Sequence, residues 1–383
     1  MTAGALRLAL VAGEHSGDRL AAGLLAALRA RCGPVAARGI GGPALAAAGC
    51  AVDHPMEDIT LMGFDELPAR LAGILRLRRR LAARLVADPP DVFVGVDVPD
   101  FNLGLEARLR RRGVPVVHYV SPTVWAWRRY RLRRIGRAVD HMLVLFPFEA
   151  EFYARHGVPV TCVGHPMADD IEGEPDARAA RRALGLDPAR PVVALLPGSR
   201  LGEVRRLGEV FLDTAVWLAA RHPGVQFALA CVDEGVRAWC QGLLAARDDG
   251  LPLTLVTGAA REVMAAAEVV LLASGTAALE AALLRRPMVV AYRMSWPSYL
   301  LVRAFAHVRL FSMPNHLTPR PLVPEFIQSA ARPGLLGPAV ARYLEDPAAV
   351  AEVKAAFAQV HGTLRRGASA RAAEVVCRLA GRG

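Results

Sequence analysis

The chain is poor in lysine, has no long uninterrupted apolar segment and carries no motif for nucleotide hydrolysis. Lys354 is its only lysine, so its net charge of +11 comes from arginine. Although 53% of its residues are hydrophobic, it contains no run of about 18 uncharged apolar residues, and a membrane-spanning helix is therefore not expected. The absence of a P-loop argues against ATP hydrolysis.

Motifs for metals and disulfides are also missing. The six cysteines are scattered along the chain: Cys32, Cys50, Cys162, Cys231, Cys240 and Cys377. They form no Cys-x-x-Cys pair and have no histidine at metal-ligand spacing, which favours reduced thiols in the core. Neither Asp-x-Asp nor His-Glu-x-x-His occurs, so ligands for a Mg²⁺ ion on a diphosphate are not evident. We expect no metal and no cofactor.

The arginines are concentrated in the first half of the chain. Clusters lie at residues 76–80, 108–112 and 128–137, and a basic face beside apolar surface suits an anionic bilayer or a phosphorylated lipid. Nucleic-acid binding and ordinary solvated helix faces are the alternatives. The N-terminus runs directly from an apolar strand into a glycine turn, without the basic start and longer apolar core of a signal peptide, so we expect a cytoplasmic protein.

Apolar strands alternate with helical segments through the chain, which predicts doubly wound parallel sheets of the α/β class. The pattern stops at a charged, Pro- and Gly-bearing segment and then restarts. We therefore predict an N-terminal Rossmann-like domain over residues 1–168, a linker at 169–190, a second Rossmann-like domain at 191–349 and helices at 350–383. The carboxyl ends of strands from both domains are expected to face a cleft.

Residues 271–293 predict a βαβ unit with a turn suited to phosphate. An apolar strand ends at Ser274-Gly275-Thr276, a helix follows, and Pro287 precedes the next strand. The free N–H groups and positive end of such a helix attract phosphate, and Glu280, one turn in, could accept from a sugar hydroxyl. Alternatively, Gly275 only permits a tight turn and Glu280 is solvated.

Acidic residues at another strand end suggest a general base. Asp97 and Asp100 follow the apolar strand 91–96, on a turn stiffened by Pro99. Either carboxylate could deprotonate a hydroxyl or cap the next helix; position favours Asp97 as the base and Asp100 as the cap. At the first turn, His15 and Ser16 could contact substrate, although a lone histidine is more often structural.

Several segments together resemble the lipid-A-disaccharide synthase family of glycosyltransferases. They are VAGEHSGD (11–18), GIGGPALAAAGC (39–50), LMGFDEL (61–67), DVFVGVDVPDFN (91–102), HYVSPTVWAWR (118–128), LFPFEAEFY (145–153), VGHPMAD (163–169), LLPGSRLGEV (195–204), LLASGTAALEAAL (271–283), PMVVAYRM (287–294) and MPNHL (313–317). They follow the family order over nearly the whole chain.

The resemblance implies an inverting, metal-independent enzyme of GT-B fold. Its donor would be UDP-2,3-diacylglucosamine, its acceptor 2,3-diacylglucosamine 1-phosphate (lipid X), and its products UDP and a β-1,6-linked disaccharide 1-phosphate. Family members act as peripheral proteins at the cytoplasmic face of the inner membrane, and can form homodimers through exchanged C-terminal segments. On this reading nucleic acid is not a partner.

The resemblance also implies site residues. Asp97 matches the family's proposed general base. The UDP site would comprise Arg200, Ser274, Gly275, Thr276, Glu280, Asn315 and Gln328, and acceptor contacts would include Ser16, Asp100 and Ser121. An alternative is another metal-independent UDP-sugar enzyme of the same fold, such as an epimerase or a peptidoglycan-type transferase.

Overall fold

The computed structural model describes residues 4–60, 67–126, 129–247, 250–296, 299 and 310–382. It divides the chain into two compact units, the first comprising Met1–Asp169 with Leu364–Gly383 and the second comprising Asp170–Thr363. Residues 61–66 of the LMGFDEL segment lie outside the described residues. Each unit is built on a parallel β-sheet with helices, which confirms the predicted α/β class.

The sheet of the first unit has the strand order β3-β2-β1-β4-β5-β6-β7. Its strands are β1 Leu6–Ala12, β2 Val35–Gly41, β3 Ala51–Pro55, β4 Val92–Val96, β5 Val116–Tyr119, β6 His141–Val144 and β7 Val160–Cys162. β4 and β5 are buried along their whole length. Helices on both faces bury such strands, which explains their continuous apolar runs.

In the first unit, a helix lies between each pair of strands that are consecutive in the chain. They are α1 His15–Cys32, α2 Pro43–Ala47, α3 Leu67–Ala87, α4 Pro99–Arg110, α5 Leu132–Ala138, α6 Pro147–Arg155 and α7 Pro166–Asp170, with 3₁₀ turns at Met56–Ile59 and Arg129–Arg131. One hydrophobic cluster joins α3, α4 and α5 to the sheet through residues such as Leu81, Leu105 and Ile135. This packing fixes the start of α4, which directly follows the turn after β4.

The second unit repeats the design with the strand order β10-β9-β8-β11-β12-β13. Its strands are β8 Val192–Leu196, β9 Gln226–Cys231, β10 Leu253–Thr257, β11 Val269–Ala273, β12 Met288–Tyr292 and β13 Glu325–Ile327. Its helices are α8 Ala177–Ala183, α9 Leu201–Ala219, α10 Glu234–Ala245, α11 Ala260–Ala266, α12 Thr276–Leu283, α13 Met313–Leu317, α14 Pro333–Glu345 and α15 Pro347–Leu364, with a 3₁₀ turn at Gln328–Ala330. The predicted linker segment, including α8, is grouped with this unit.

In both sheets the strand order reverses between two neighbouring central strands. The chain builds outward from β1 to β3 and then returns to place β4 beside β1; in the same way β11 lies beside β8. Loops that leave the carboxyl ends of such strand pairs diverge and leave a crevice, where ligands bind in open α/β sheets. The fold therefore identifies the loops after β1 and β4, and those after β8 and β11, as candidate binding loops.

The C-terminal helix α16, Ala368–Leu379, returns to the first unit and packs on α1. Asp169 supports this return, because its carboxylate accepts from the backbone N–H groups of Gly367 at 2.9 Å and Ala368 at 2.7 Å. The expectation of reduced thiols is wrong for two cysteines, since Cys32 at the end of α1 and Cys377 in α16 form a disulfide. The pairing depends on contact between the two helices, and a separation of 345 residues hides it in the sequence.

Candidate active site

The turn after β4 carries Asp97 in an unusual backbone conformation. Asp97 and Val98 have φ angles of 54° and 43°, in the left-handed region that non-glycine residues rarely occupy. Two hydrogen bonds hold the turn: the Asp97 N–H donates to the Tyr119 carbonyl at 2.9 Å, and the Asn102 side-chain amide donates to the Asp97 carbonyl at 2.7 Å. Strain held by surrounding contacts is a feature of functional turns.

Asp100 does not cap α4 as predicted. The helix begins at Pro99, with Val98 at its N-cap, because proline at the first helical position has a φ suited to the helix. Asp100 therefore lies in the first turn, where its exposed carboxylate forms an ion pair with Arg131. Its predicted contact with the acceptor stays a prediction.

The turn after β1 lies against the Asp97 turn. A Cβ atom on Gly13 would lie 2.6 Å from Val98 Cγ2 and 2.9 Å from Ile59 Cδ1, so a side chain at this position would displace Val98 or Ile59. The next residues, His15 and Ser16, begin α1 with exposed side chains. The structure thus brings the predicted contacts His15 and Ser16 to the same edge of the sheet as Asp97.

Asp18 is a structural residue that the sequence analysis does not single out. Its carboxylate is 2% exposed and accepts from the backbone N–H groups of Gly42 at 2.7 Å, Ala44 at 2.8 Å and Leu45 at 3.2 Å. These are the free N–H groups at the start of α2, which an acidic side chain satisfies well. The glycine-containing segments 13–17 and 39–42 therefore lie against each other, joined by Asp18.

Ser121 follows β5, but its hydroxyl faces the interior. The residue is 7% exposed, and Oγ lies 2.8 Å from the Pro122 carbonyl and 3.1 Å from the Tyr153 hydroxyl. The structure gives its side chain an internal role. The predicted contact with the acceptor stays a prediction.

Glu149, in the LFPFEAEFY segment, is buried beside Ser121. The sequence analysis does not single out Glu149. Its carboxylate is 4% exposed and accepts from the Phe146 N–H at 3.2 Å. Burial raises the pKa of Glu149 to about 7, although hydrogen bonds from Phe146, Ser121, Leu145 and Trp125 oppose the shift. The family-specific segments HYVSPTVWAWR and LFPFEAEFY therefore meet at one titratable group.

In the second unit, the turn after β11 leaves the start of α12 open. Gly275 occupies the N-cap and supplies no side chain to it, while Gly275 and Thr276 are exposed. Ser274 is partly exposed and its hydroxyl donates to the Phe311 carbonyl at 2.9 Å. The open backbone N–H groups of this turn can donate hydrogen bonds to the oxygens of a phosphate.

Arg200 lies in the loop after β8, the strand that neighbours β11. Its side chain is 82% exposed, and its NH1 atom is 3.7 Å from the Glu203 carboxylate. Because the two strands are parallel and adjacent, the Arg200 loop and the Ser274 turn leave the same edge of the sheet. A cation beside an open helix end suits an anionic ligand.

Glu280 has a cationic partner that the sequence did not indicate. Its carboxylate is 2.6 Å from Arg261 Nε, and its side chain is 18% exposed. Arg261 belongs to α11, so only the packing of α11 on α12 brings the two together. The pair orients the carboxylate at the first turns of α12.

Asn315 and Gln328 are held by hydrogen bonds within the second unit. The Asn315 amide donates to the Val323 carbonyl at 2.9 Å and to Glu325 at 2.7 Å, while its oxygen accepts from Leu322 and Val323 at 2.9 Å each. The Gln328 amide exchanges two hydrogen bonds with the backbone of Met294. Both residues shape the loops that border the Ser274 turn, and their predicted contacts with UDP stay predictions.

Two features are absent from the residues that the structure describes. No three or more histidine, cysteine, aspartate or glutamate side chains gather there as ligands of a metal ion. In the same residues, no helix combines the length and the apolar character that a membrane crossing requires.

Solved structures share this two-sheet architecture at low sequence identity. A glycotransferase of kitacinnamycin matches 98% of this chain and 100% of its own with a TM-score of 0.63 and 18% identity. HepE of Anabaena, solved with UDP and glucose, matches 97% and 100% with a TM-score of 0.58 and 14% identity. The fold is therefore GT-B, the architecture of a class of glycosyltransferases.

Sequence comparison then defines the family. The profile described as lipid-A-disaccharide synthetase matches residues 8–377. The lipid-A-disaccharide synthase of Alkalilimnicola ehrlichii is 53% identical over 378 residues, covering 98% of this chain and 99% of the relative. That of Pseudomonas aeruginosa strain UCBPP-PA14 is 49% identical over 374 residues, covering 98% of each. The chain belongs to the lipid-A-disaccharide synthase family, and it is a glycosyltransferase of lipid A disaccharide synthesis.

Proposed function

We propose that the enzyme transfers 2,3-diacylglucosamine from its UDP donor to 2,3-diacylglucosamine 1-phosphate. The products are UDP and the β-1,6-linked disaccharide 1-phosphate. The observation that carries the proposal is the family match over residues 8–377. The match includes the loops at the points where the strand order of each sheet reverses. A UDP-sugar donor and a separate acceptor follow from that membership.

Asp97 is the base in this proposal. The C6 hydroxyl oxygen of the acceptor attacks the anomeric carbon of the donor, the bond from that carbon to the UDP oxygen breaks, and the hydroxyl proton passes to the Asp97 carboxylate. Attack opposite the leaving group inverts the anomeric centre. The rigid turn at the end of β4 supports this role, because a base held in position contributes about 10²- to 10⁴-fold to the rate.

The diphosphate leaving group is stabilised by the second unit. Charge developing on UDP meets the backbone N–H groups at Gly275 and Thr276 and the exposed guanidinium of Arg200. Such preorganised donors and cations stabilise an anionic leaving group in a site shielded from water. Glu280, oriented by Arg261, accepts from the ribose hydroxyls, and the reaction proceeds without a metal ion.

The first unit also provides the surface that meets the membrane. The outer side of α3 exposes Leu71 together with Arg76, Arg79 and Arg80, and Tyr130 in the 3₁₀ turn at Arg129–Arg131 is 76% exposed. Arginines beside exposed apolar side chains bind anionic lipid surfaces. The enzyme then works as a peripheral protein on the inner face of the inner membrane, where both acylated substrates reside.

The experiment incubates the enzyme with both lipids in detergent micelles and identifies the product by mass and by NMR. A disaccharide 1-phosphate with a β-1,6 linkage, formed with one equivalent of UDP, is the expected result. UDP binding without transfer to this acceptor, or conversion of a UDP-sugar to its epimer, would contradict the proposal.

A further inference from the structure

A buried acid and a buried histidine form a pair directly behind the Asp97 turn. His118 lies on β5 and Glu106 on α4, and neither side chain is exposed to solvent. His118 Nδ1 and Glu106 Oε1 are 2.6 Å apart. A pair this deeply buried loses much solvation energy, so it is weak evidence for stability alone.

Gly95 creates the space for this pair. Gly95 on β4 is in register with His118 on β5. A Cβ atom at Gly95 would lie 2.2 Å from Glu106 Oε1 and 3.0 Å from Asn102 Cγ. The glycine of the VGVDVPDFN segment is therefore required because the Glu106 carboxylate occupies the position of its missing side chain.

The same elements connect the pair to the Asp97 backbone. Asn102, one turn before Glu106 on α4, donates to the Asp97 carbonyl, and Tyr119, next to His118 on β5, accepts from the Asp97 N–H. Asn102 is fully buried, like the pair itself. A displacement of Glu106 or His118 would thus move both groups that hold the strained turn.

The Asp97 charge also acts on the buried imidazole of His118. Burial lowers the pKa of His118, but the charge and hydrogen bond of Glu106 outweigh it and raise the pKa overall, with smaller contributions from the Asp97 charge and the Val120 backbone. The neighbours of His118 in the sheet are Gly95 and Met142, which carry no charge. Glu106 from α4 and Asp97 from the end of β4 are therefore the charged groups that act on the imidazole.

We infer that Glu106 and His118 are positioning residues for Asp97: their contact fixes α4 against β5 behind the β4 turn and keeps the Asp97 side chain oriented. The inference rests on the proposed function only in making Asp97 the base. The pair does not touch the substrate. It supplies the packing that holds the carboxylate in place.

The first test measures the coupling without any activity assay. Ring ¹³C labels on histidine allow NMR titration of His118 in the full-length protein and in Asp97→Asn. Because the Asp97 charge contributes to the raised pKa of His118, removing that charge should lower the pKa of His118. An unchanged titration would overturn the inference.

The second test separates kcat from substrate affinity. In Glu106→Gln and His118→Gln the Asp97 turn loses this support, so kcat should fall by about 10- to 100-fold because the base is misplaced, with UDP affinity unchanged. Arg110→Met is the matched control, since it removes an ion pair with Asp140, 2.7 Å away, from the same helix. A kcat that falls together with UDP affinity, or that falls equally in Arg110→Met, would mean that the pair is only structural.

The two tests separate the inference from the proposed function. If the wild-type enzyme transfers no sugar, the proposed function fails, while the NMR titration still decides whether Asp97 and His118 are coupled. If His118→Gln does not fold, Glu106→Gln retains the shape of the side chain and carries the kinetic test. Loss of coupling with normal transfer would overturn the inference and leave the proposed function standing.

Discussion

Substitution of Asn315 tests whether this residue of the predicted UDP site contacts the ligand directly or stabilises the loop in which it lies. Its buried side chain, 3% exposed, makes hydrogen bonds to the Leu322 and Val323 N–H groups, the Val323 carbonyl and Glu325. Asn315→Ala leaves all these groups without their partner. At about 1 kcal/mol for each lost bond, and more where a buried donor stays unsatisfied, the loop should lose about 3–4 kcal/mol of local stability.

The assay is hydrogen exchange at the Leu322 and Val323 amides, combined with UDP titration. A loss of this size should accelerate exchange by about 10²-fold or more if both amides open locally. Thr318→Val is the control: it removes two hydrogen bonds of a more exposed hydroxyl in the same loop and should change exchange there much less. Unchanged protection in Asn315→Ala together with lost UDP binding would refute the structural reading and make Asn315 a direct ligand.

Three other predictions follow from buried groups. Asp18→Asn replaces a carboxylate that accepts three N–H bonds and should cost about 2–4 kcal/mol in urea unfolding, whereas Asp176→Asn at the exposed cap of α8 should cost clearly less. Burial raises the pKa of Glu149 from 4.5 to about 7, so the folded state keeps the carboxyl protonated to a higher pH than the unfolded state does. The free energy of unfolding of the wild type should therefore fall by up to about 3 kcal/mol as the pH rises between those two values. Glu149→Gln should abolish this fall, as measured by urea unfolding at pH 5 and pH 8. Thiol titration of the unfolded, unreduced protein should find four free thiols and six after reduction, and six before reduction would disprove the Cys32–Cys377 disulfide.

The central strands were predictable because they are buried on both faces. β1, β4, β8 and β11 read as apolar runs in the sequence. By contrast, β3, β7 and β13 are short edge strands of intermediate exposure. Half-exposed edge strands lack the continuous apolar pattern that signals a buried one.

The candidate site was predictable where a single segment carries the signal. Asp97 and the Ser274 turn each follow an apolar strand directly, so their position at the edge of a sheet follows from strand polarity. The partnerships of Glu106 with His118 and of Arg261 with Glu280 join different elements. No periodicity within one element reports such contacts, and only tertiary packing creates them.

The cap assigned to Asp100 was wrong for a local reason. The prediction placed the helix start after Asp100, whereas Pro99 already occupies the first helical position. Proline favours that position because it lacks the N–H that would otherwise stay unpaired. A Pro-Asp pair after a strand therefore indicates a helix that starts at the proline.

The most direct measurement is the rate of UDP release from UDP-2,3-diacylglucosamine with 2,3-diacylglucosamine 1-phosphate in micelles containing EDTA, for the wild type and Asp97→Asn side by side. We predict a full rate for the wild type despite the chelator. In Asp97→Asn the rate should fall by about 10²- to 10⁴-fold, with UDP affinity unchanged. A wild-type rate abolished by EDTA, or an Asp97→Asn enzyme that retains full activity, would contradict metal-independent transfer with Asp97 as its base.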